Sequence, residues 1–257
     1  CRVIAIKSLR SVFGRSFTFI DMTLLKYLQA QGIASRASCR RLIQEGSVVI
    51  NGVIKGDTEE IIVPTDVREL AITGKKYDII PLPYFYILLH KPAGVEVSHS
   101  PSYYPSVFSL LTPQLRQLKV QAVGRLDVDS TGLLLITNDN LLNHRLTSPK
   151  HDIEKEYVLT LAHDFSEQQS KQLLTGFYLR GEKKISRAKM IKKENERKII
   201  MVLCSGKYHE AKRMMAAVGN RVLHLHRSRL GELYLGQDLS EGTWRYIDST
   251  LLAEKKI

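Results

Sequence analysis

Gly124-Arg125-Leu126-Asp127-Val128-Asp129-Ser130-Thr131-Gly132 runs directly into Leu133-Leu134-Leu135-Ile136. Two glycines, two carboxylates and an arginine crowd into a short stretch, which suits a loop built to present side chains, and the apolar run behind it has the pattern of a buried strand. Asp127, Asp129, Thr131 and Gly132 nearly match the opening of a calcium-binding loop. That loop needs a bidentate Glu at its twelfth position, where this chain has Asn138, so calcium is excluded. A glycosidase would use the two aspartates as acid and nucleophile, but the single Trp, at 244, leaves no set of sugar-stacking aromatics. A capped turn in which Arg125 pairs Asp127 stays open on the residues alone.

The flanking sequence alternates strand and helix patterns. Strands are expected at 84–89, 133–137, 157–161 and 222–226, and a hairpin at 189–192 with 199–203. Helices are expected at 166–174 and 209–218. Residues 92–106, with Pro, Ser, Gly and Tyr, read as a long exposed loop. Such runs of strands with interspersed helices predict an α+β domain over 84–257, with a mixed, mainly antiparallel sheet and flanking helices.

Residues 22–64 read as a small basic module. Leu24, Leu25 and Leu28 share one helical face and Gly32 ends that helix. Ser35 caps a second helix over 36–45, in which Cys39, Leu42 and Ile43 point inward while Arg36, Arg40 and Arg41 form a cationic ridge. Asn51-Gly52, between Val48-Val49-Ile50 and Val53-Ile54, predicts a hairpin with a type I′ turn. Residues 65–83, bounded by Pro64 and by Pro81 and Pro83, are expected to be a linker. Residues 1–21, which carry Arg2, Lys7, Arg10 and Arg15 and no acid before Asp21, faintly resemble a transit peptide. They are expected to be a disordered extension or translated upstream sequence, outside the fold.

Lys and Arg number 38 against 26 Asp and Glu, a formal charge of +12 that favours polyanionic partners. No apolar run approaches the ~20 residues of a membrane helix, so no membrane association is expected. Cys1, Cys39 and Cys204 are too scattered for a disulfide framework or a zinc cluster, which fits a reducing cytoplasm. No glycine-rich phosphate loop occurs, so no nucleotide cofactor is expected. His224 and His226 share a strand face without a third ligand, so no metal is expected either.

The module at 22–64 resembles an S4 RNA-binding domain, most clearly from Ser35-Arg36-Ala37-Ser38 through Gly46-Ser47-Val48-Val49-Ile50-Asn51-Gly52. That resemblance implies RNA binding without specifying a reaction. Gly124 to Leu133 resembles the signature of the pseudouridine synthases that modify ribosomal RNA, with Ser130 where that family usually has Thr. Other matching segments follow in order: Asn138-Asp139, His144-Arg145-Leu146-Thr147-Ser148-Pro149-Lys150-His151, Glu154-Lys155-Glu156-Tyr157, Gly206 to Met214, Ala216 to Asn220 and Leu225 to Gly231. Together the resemblance spans residues 22–247.

The resemblance implies three catalytic residues: Asp127 as the essential carboxylate, whether it attacks the sugar, adds to the pyrimidine ring or assists loss of the 2′ proton; Tyr157 stacked on the target base; and Lys212 as the cation that keeps Asp127 ionised. Arg125, Lys207, His209 and Arg213 are expected to contact RNA beside Arg36, Arg40 and Arg41. The reaction is redox-neutral and needs no cofactor. Glu210 stands where the family commonly has Gln, close to Lys212. Residues 147–151 and 208–209 resemble the small-subunit branch, implying isomerisation of a uridine in 16S ribosomal RNA, free or within an assembling subunit. The competing expectations are a large-subunit RNA substrate and a non-catalytic S4-type ribosome-assembly factor. A monomer suffices.

Overall fold

Side-chain caps set where the first two full helices begin. The computed structural model describes residues 21–252; the expected extension lies outside the described residues apart from Asp21. Two compact units divide the chain, one of residues up to Phe85 with Leu111–Val120, the other of Tyr86–Leu110 and the residues from Gln121 on.

In the first unit, β1 (Met22–Thr23) leads into α1 (Leu24–Ala30), and α2 (Arg36–Gln44) follows. Thr23 and Ser35 accept the N–H groups of Lys26 and Ser38, satisfying donors that a helix start leaves orphaned. Leu24, Leu25, Tyr27 and Leu28 of α1 share a buried core with Cys39 and Ile43 of α2. The predicted hairpin forms from β2 (Val48–Ile50) and β3 (Val53–Lys55); Asn51 and Gly52 both take positive φ, 51° and 81°, as a type I′ turn requires. β4 (Ile61–Ile62) pairs with β1.

The stretch expected to be a linker is folded. β5 (Leu70–Ile72) and β6 (Lys75–Tyr77) complete an antiparallel sheet in the order β3-β2-β5-β6, with Leu70 and Ile72 in the core. Asn51 ties this extension down: its Oδ1 accepts from Arg68 and Glu69 N–H at 2.7 and 3.0 Å, and its Nδ2 donates to the Asp66 carbonyl at 2.8 Å. α3 (Pro113–Gln117) also belongs to this unit; Gln114 Nε2 donates to the carbonyls of Gln31 and Asp78 at 3.1 and 3.0 Å. The unit therefore extends well past residue 64.

The second unit contains β7 (Tyr86–Lys91), β8 (Gln121–Ala122), β9 (Thr131–Thr137), α4 (Asn140–Thr147), β10 (Lys155–Leu161) and α5 (Glu167–Thr175). It continues with β11 (Met190–Asn195), β12 (Lys198–Leu203), α6 (Glu210–Ala217), β13 (Val222–Leu230), β14 (Leu233–Tyr234) and β15 (Trp244–Ile247). Its main sheet runs β11-β12-β10-β13-β9-β7-β15, with β14 on β13 and β8 on β9. Among the described strand pairs of this sheet only β9 with β13 is parallel, so the sheet is mixed and mainly antiparallel, as the sequence predicts. Leu133 through Ile136 are wholly buried. Leu159, Leu161, Ile199, Met201 and Leu203 of the sheet pack with Leu173 of α5 and with Ala211, Met214 and Met215 of α6.

β13 is longer than predicted and continues through Arg227, Ser228 and Arg229. These polar residues tolerate the sheet because each finds a partner: Arg229 pairs with Glu154 at 3.0 Å, Ser228 Oγ donates to Glu156 at 2.8 Å, and Arg227 Nε donates to the Leu133 carbonyl at 2.8 Å.

Candidate active site

β7 ends on a lysine with no exposure. Lys91 Nζ donates to the carbonyls of Pro92, Asp127 and Ser130 at 3.0, 2.9 and 2.8 Å, with that of Val128 at 3.4 Å. The loop between β8 and β9 is thus wrapped around one ammonium group. Burial pushes the Lys91 pKa down to about 8, against the opposing pull of Asp129 and Asp127. The loop is short because β9 must begin against β13, where Gly132 lies opposite Arg227. Gly132 has φ +112°, and a Cβ there would sit 2.3 Å from the Arg227 carbonyl oxygen. Only glycine permits this approach.

α6 supplies the facing cation. Ala211, Met214 and Met215 turn into the core, and the helical period leaves Lys212 on the side of the loop. Lys212 Nζ donates to Asp127 Oδ2 at 3.0 Å and to Asp129 Oδ1 at 2.6 Å, while His209 Nε2 lies 3.2 Å from Asp127 Oδ1. Burial disfavours charge on both Lys212 and Asp129, but their hydrogen bonds outweigh it, so the lysine is raised and the Asp129 carboxyl lowered. Lys212 thus pairs with both Asp127 and Asp129. Tyr208 stacks on His209 with ring centroids 3.8 Å apart.

Tyr157 of β10 lies directly across from Arg227 of β13. Burial raises the phenol's pKa, and the Arg227 guanidinium works against that rise through its charge and a hydrogen bond. Asp127, Arg125, Lys155, Tyr157, His209 and Lys212 all line one open cleft of about 880 Å³. One wall is the long loop expected at 92–106. Its shape is held by Glu96, whose carboxylate accepts the N–H groups of Ser102, Tyr103 and Tyr104 at 2.9 to 3.0 Å.

An aspartate paired with a lysine, in a cleft also lined by a tyrosine and roomy enough for a nucleotide, suits attack on a sugar carbon next to a stacked base. The family model for RNA pseudouridylate synthase matches residues 85–217, which carry the whole of this cluster except Arg227. The chain belongs to the RNA pseudouridylate synthase family. A second model, the S4 domain, matches residues 22–67 of this synthase. The synthase is 37% identical to the ribosomal small subunit pseudouridine synthase A of Vibrio vulnificus, over 88% of this chain and 96% of that one. It is 32% identical to the protein of that name from Pasteurella multocida, over 90% and 98% of the two chains. A crystal structure of a pseudouridylate synthase superposes with a TM-score of 0.63 at 33% identity, covering 90% of this chain and 99% of that one.

Within the synthase, Asp127, Tyr157, Lys212, His209 and Arg125 come together in the cleft as a group. Lys207 and Arg213 do not present their charges to it. Lys207 Nζ donates to the Lys184 carbonyl at 2.8 Å and to Ser186 Oγ at 2.7 Å; Arg213 pairs with Glu182 at 2.9 Å and donates to the Arg180 carbonyl. Both hold the 180–186 segment. Arg36, Arg40 and Arg41 are exposed on α2, Arg41 lying 3.8 Å from Glu45. Glu210 turns away from Lys212: its carboxylate accepts from Ser205 Oγ at 2.6 Å and from Lys207 N–H at 3.2 Å, closing the loop before α6.

Lys91 and Arg227 were not singled out by the residue patterns. Their one signal is a cation inside an apolar strand, which a buried site must neutralise or hydrogen-bond. Among the described residues no group of three or more His, Cys, Asp or Glu is placed to hold a metal ion. His226 Nδ1 instead lies 2.9 Å from Thr131 Oγ1. No helix among the described residues is long and apolar enough to cross a membrane.

Proposed function

We propose that this synthase isomerises one uridine of small-subunit ribosomal RNA to pseudouridine, with Asp127 acting at C1′. The observation that carries the reading is the position of Asp127, whose two carboxylate oxygens are held by Lys212 and His209 at the open cleft. The small-subunit assignment is supported by the names of the relatives from Vibrio vulnificus and Pasteurella multocida, which align over nearly their full lengths.

The target base leaves its stack, at a cost of a few kcal/mol, and rests on Tyr157. As the N1–C1′ bond breaks, positive charge develops on the sugar, and the Asp127 carboxylate stabilises or captures C1′. The detached ring turns, C5 bonds to C1′, the C5 proton leaves and N1 gains one. Arg125, exposed at the cleft mouth, fills the vacated stack or holds a flanking phosphate. The ridge of Arg36, Arg40 and Arg41 engages RNA backbone away from the reaction. One copy of the chain suffices for this chemistry, since Asp127, Tyr157 and Lys212 of a single chain line the cleft, and the reading places it in the cytoplasm.

Pseudouridine mapping of ribosomal RNA incubated with wild type and with Asp127→Asn tests this. One new small-subunit site with wild type and none with the variant is the expected result. A site in large-subunit RNA instead would overturn the substrate assignment. Tight binding without any new site would overturn the catalytic reading.

A further inference from the structure

Among the described residues, two cations on the sheet face of the cleft have no acidic partner. Lys155 and Tyr157 are alternate residues of β10, and both line the cleft. Lys155 Nζ donates to the Ile153 carbonyl at 2.9 Å and makes no ion pair within the described chain. Arg227 is 2% exposed, and its Nη2 has no acceptor. Other part-buried cations around the cleft are matched: Lys212 by Asp127 and Asp129, Arg213 by Glu182, and Lys91 by loop carbonyls. An unmatched charge taken from water is costly unless an anion meets it at the moment of use. Burial, and then the nearby Arg227 charge, push the Lys155 pKa below the lysine range.

An anion does form at this place during the isomerisation. When N1–C1′ breaks, the bonding pair stays with uracil, and its charge spreads over N1, O2 and O4. The ring must be retained while it turns. We propose that Lys155 is a further catalytic residue whose ammonium donates to a carbonyl oxygen of the detached uracil. Arg227 is the positioning residue behind it, fixed by Leu133 and Gly132 and holding Tyr157 against the ring. A donor already in place where charge develops needs no reorganisation during the step. The inference rests on the uridine-isomerising reading above.

Single-turnover kinetics on small-subunit RNA transcribed with uridine or with 5-fluorouridine test it. Fluorine stabilises the detached anion, so a residue that stabilises the same anion matters less for the fluorinated base. Lys155→Met slows loss of uridine ~100-fold, as removal of one such donor does elsewhere, and slows loss of 5-fluorouridine by a smaller factor. RNA affinity and its salt slope stay at the wild-type values. Lys155→Arg recovers part of the rate, and Lys155→Gln, which keeps a donor for the Ile153 carbonyl, provides the same reading if the Met variant melts early. Equal slowing on both RNAs, or no slowing, overturns the proposal. Weaker binding with a shallower salt slope would overturn it as well, by placing Lys155 on a phosphate. If wild type itself forms no pseudouridine, it is the parent reading that fails.

Discussion

At the residue scale, the carboxylate proposed to react depends on a lysine that never touches it. Lys91 is bonded to the backbone of Asp127 and Ser130 rather than to either aspartate side chain. With its pKa pushed to about 8, it loses a proton as pH passes that value, leaving two donors where three served the loop carbonyls. We expect kcat to fall through pH 8 with a one-proton slope while RNA affinity is unchanged. Stability takes the opposite sign. The folded pKa lies below the ordinary lysine value near 10.5, so between about 8 and 10.5 the folded state binds fewer protons than the unfolded one, and this group makes stability rise with pH there. Lys91→Met removes the donor of the Pro92 and Ser130 carbonyls, while those of Asp127 and Val128 keep the Ser130 and Gly94 N–H groups, a cost of ~1–3 kcal/mol for each of the two. Calorimetry should register a loss of about 3 kcal/mol, and the pH limb in kcat should vanish. A limb that survives the substitution belongs to another group. Asp127 and Lys212 were legible because the motif segments name them. Lys91 was not, because a lysine closing an apolar strand reads as the strand's boundary rather than as a fully buried residue.

At the element scale, the site is the meeting of β9 with β13. This parallel pair starts the strand that follows the Asp127 loop and aligns Arg227 with Gly132. Gly132→Ala would drive a Cβ to 2.3 Å from the Arg227 carbonyl oxygen at a φ of +112°, an overpacking that costs roughly 1–3 kcal/mol before strain is added. A drop in melting temperature accompanied by loss of turnover is expected. Wild-type stability in this variant would show that the two strands can separate there at no cost. How far each element was readable follows from its local chemistry. The 48–55 hairpin announces itself through Asn51-Gly52, two residues suited to positive φ. The 70–77 hairpin makes the same kind of turn, φ 51° at Thr73 and 76° at Gly74, but a β-branched residue is a poor turn signal. With prolines on both sides, Leu70-Ala71-Ile72 therefore passed for linker. The polar half of β13 was hidden for a related reason: its partners, Glu154, Glu156 and Leu133, lie far away in the sequence.

At the scale of the whole molecule, a formal charge of +12 means that association with RNA is driven largely by release of counterions. Several cations of the proposed catalytic cleft are held internally, Lys212 by two aspartates and Lys207 by backbone carbonyls, while Arg125 is exposed at its mouth. Arg36, Arg40 and Arg41 are different. They are exposed on one helix, and Glu45 sits 3.8 Å from Arg41 in an exposed pair that contributes little. The S4 domain and the cleft should therefore separate binding from chemistry. Replacing all three arginines with glutamine removes three positive charges from a solvated face and should leave the melting temperature close to wild type. Removing one phosphate neutralisation lowers the slope of log affinity against log salt by ~0.7–0.9. The triple variant should therefore bind more weakly at every salt concentration, with a slope shallower by up to about 2.7. Single-turnover kcat at saturating RNA should match wild type, since none of the three lines the cleft. A slope that does not change would mean that the ridge faces solvent in the complex and that the affinity comes from elsewhere on the basic surface. A fall in saturating kcat would mean that the S4 domain positions the target uridine as well as holding its RNA.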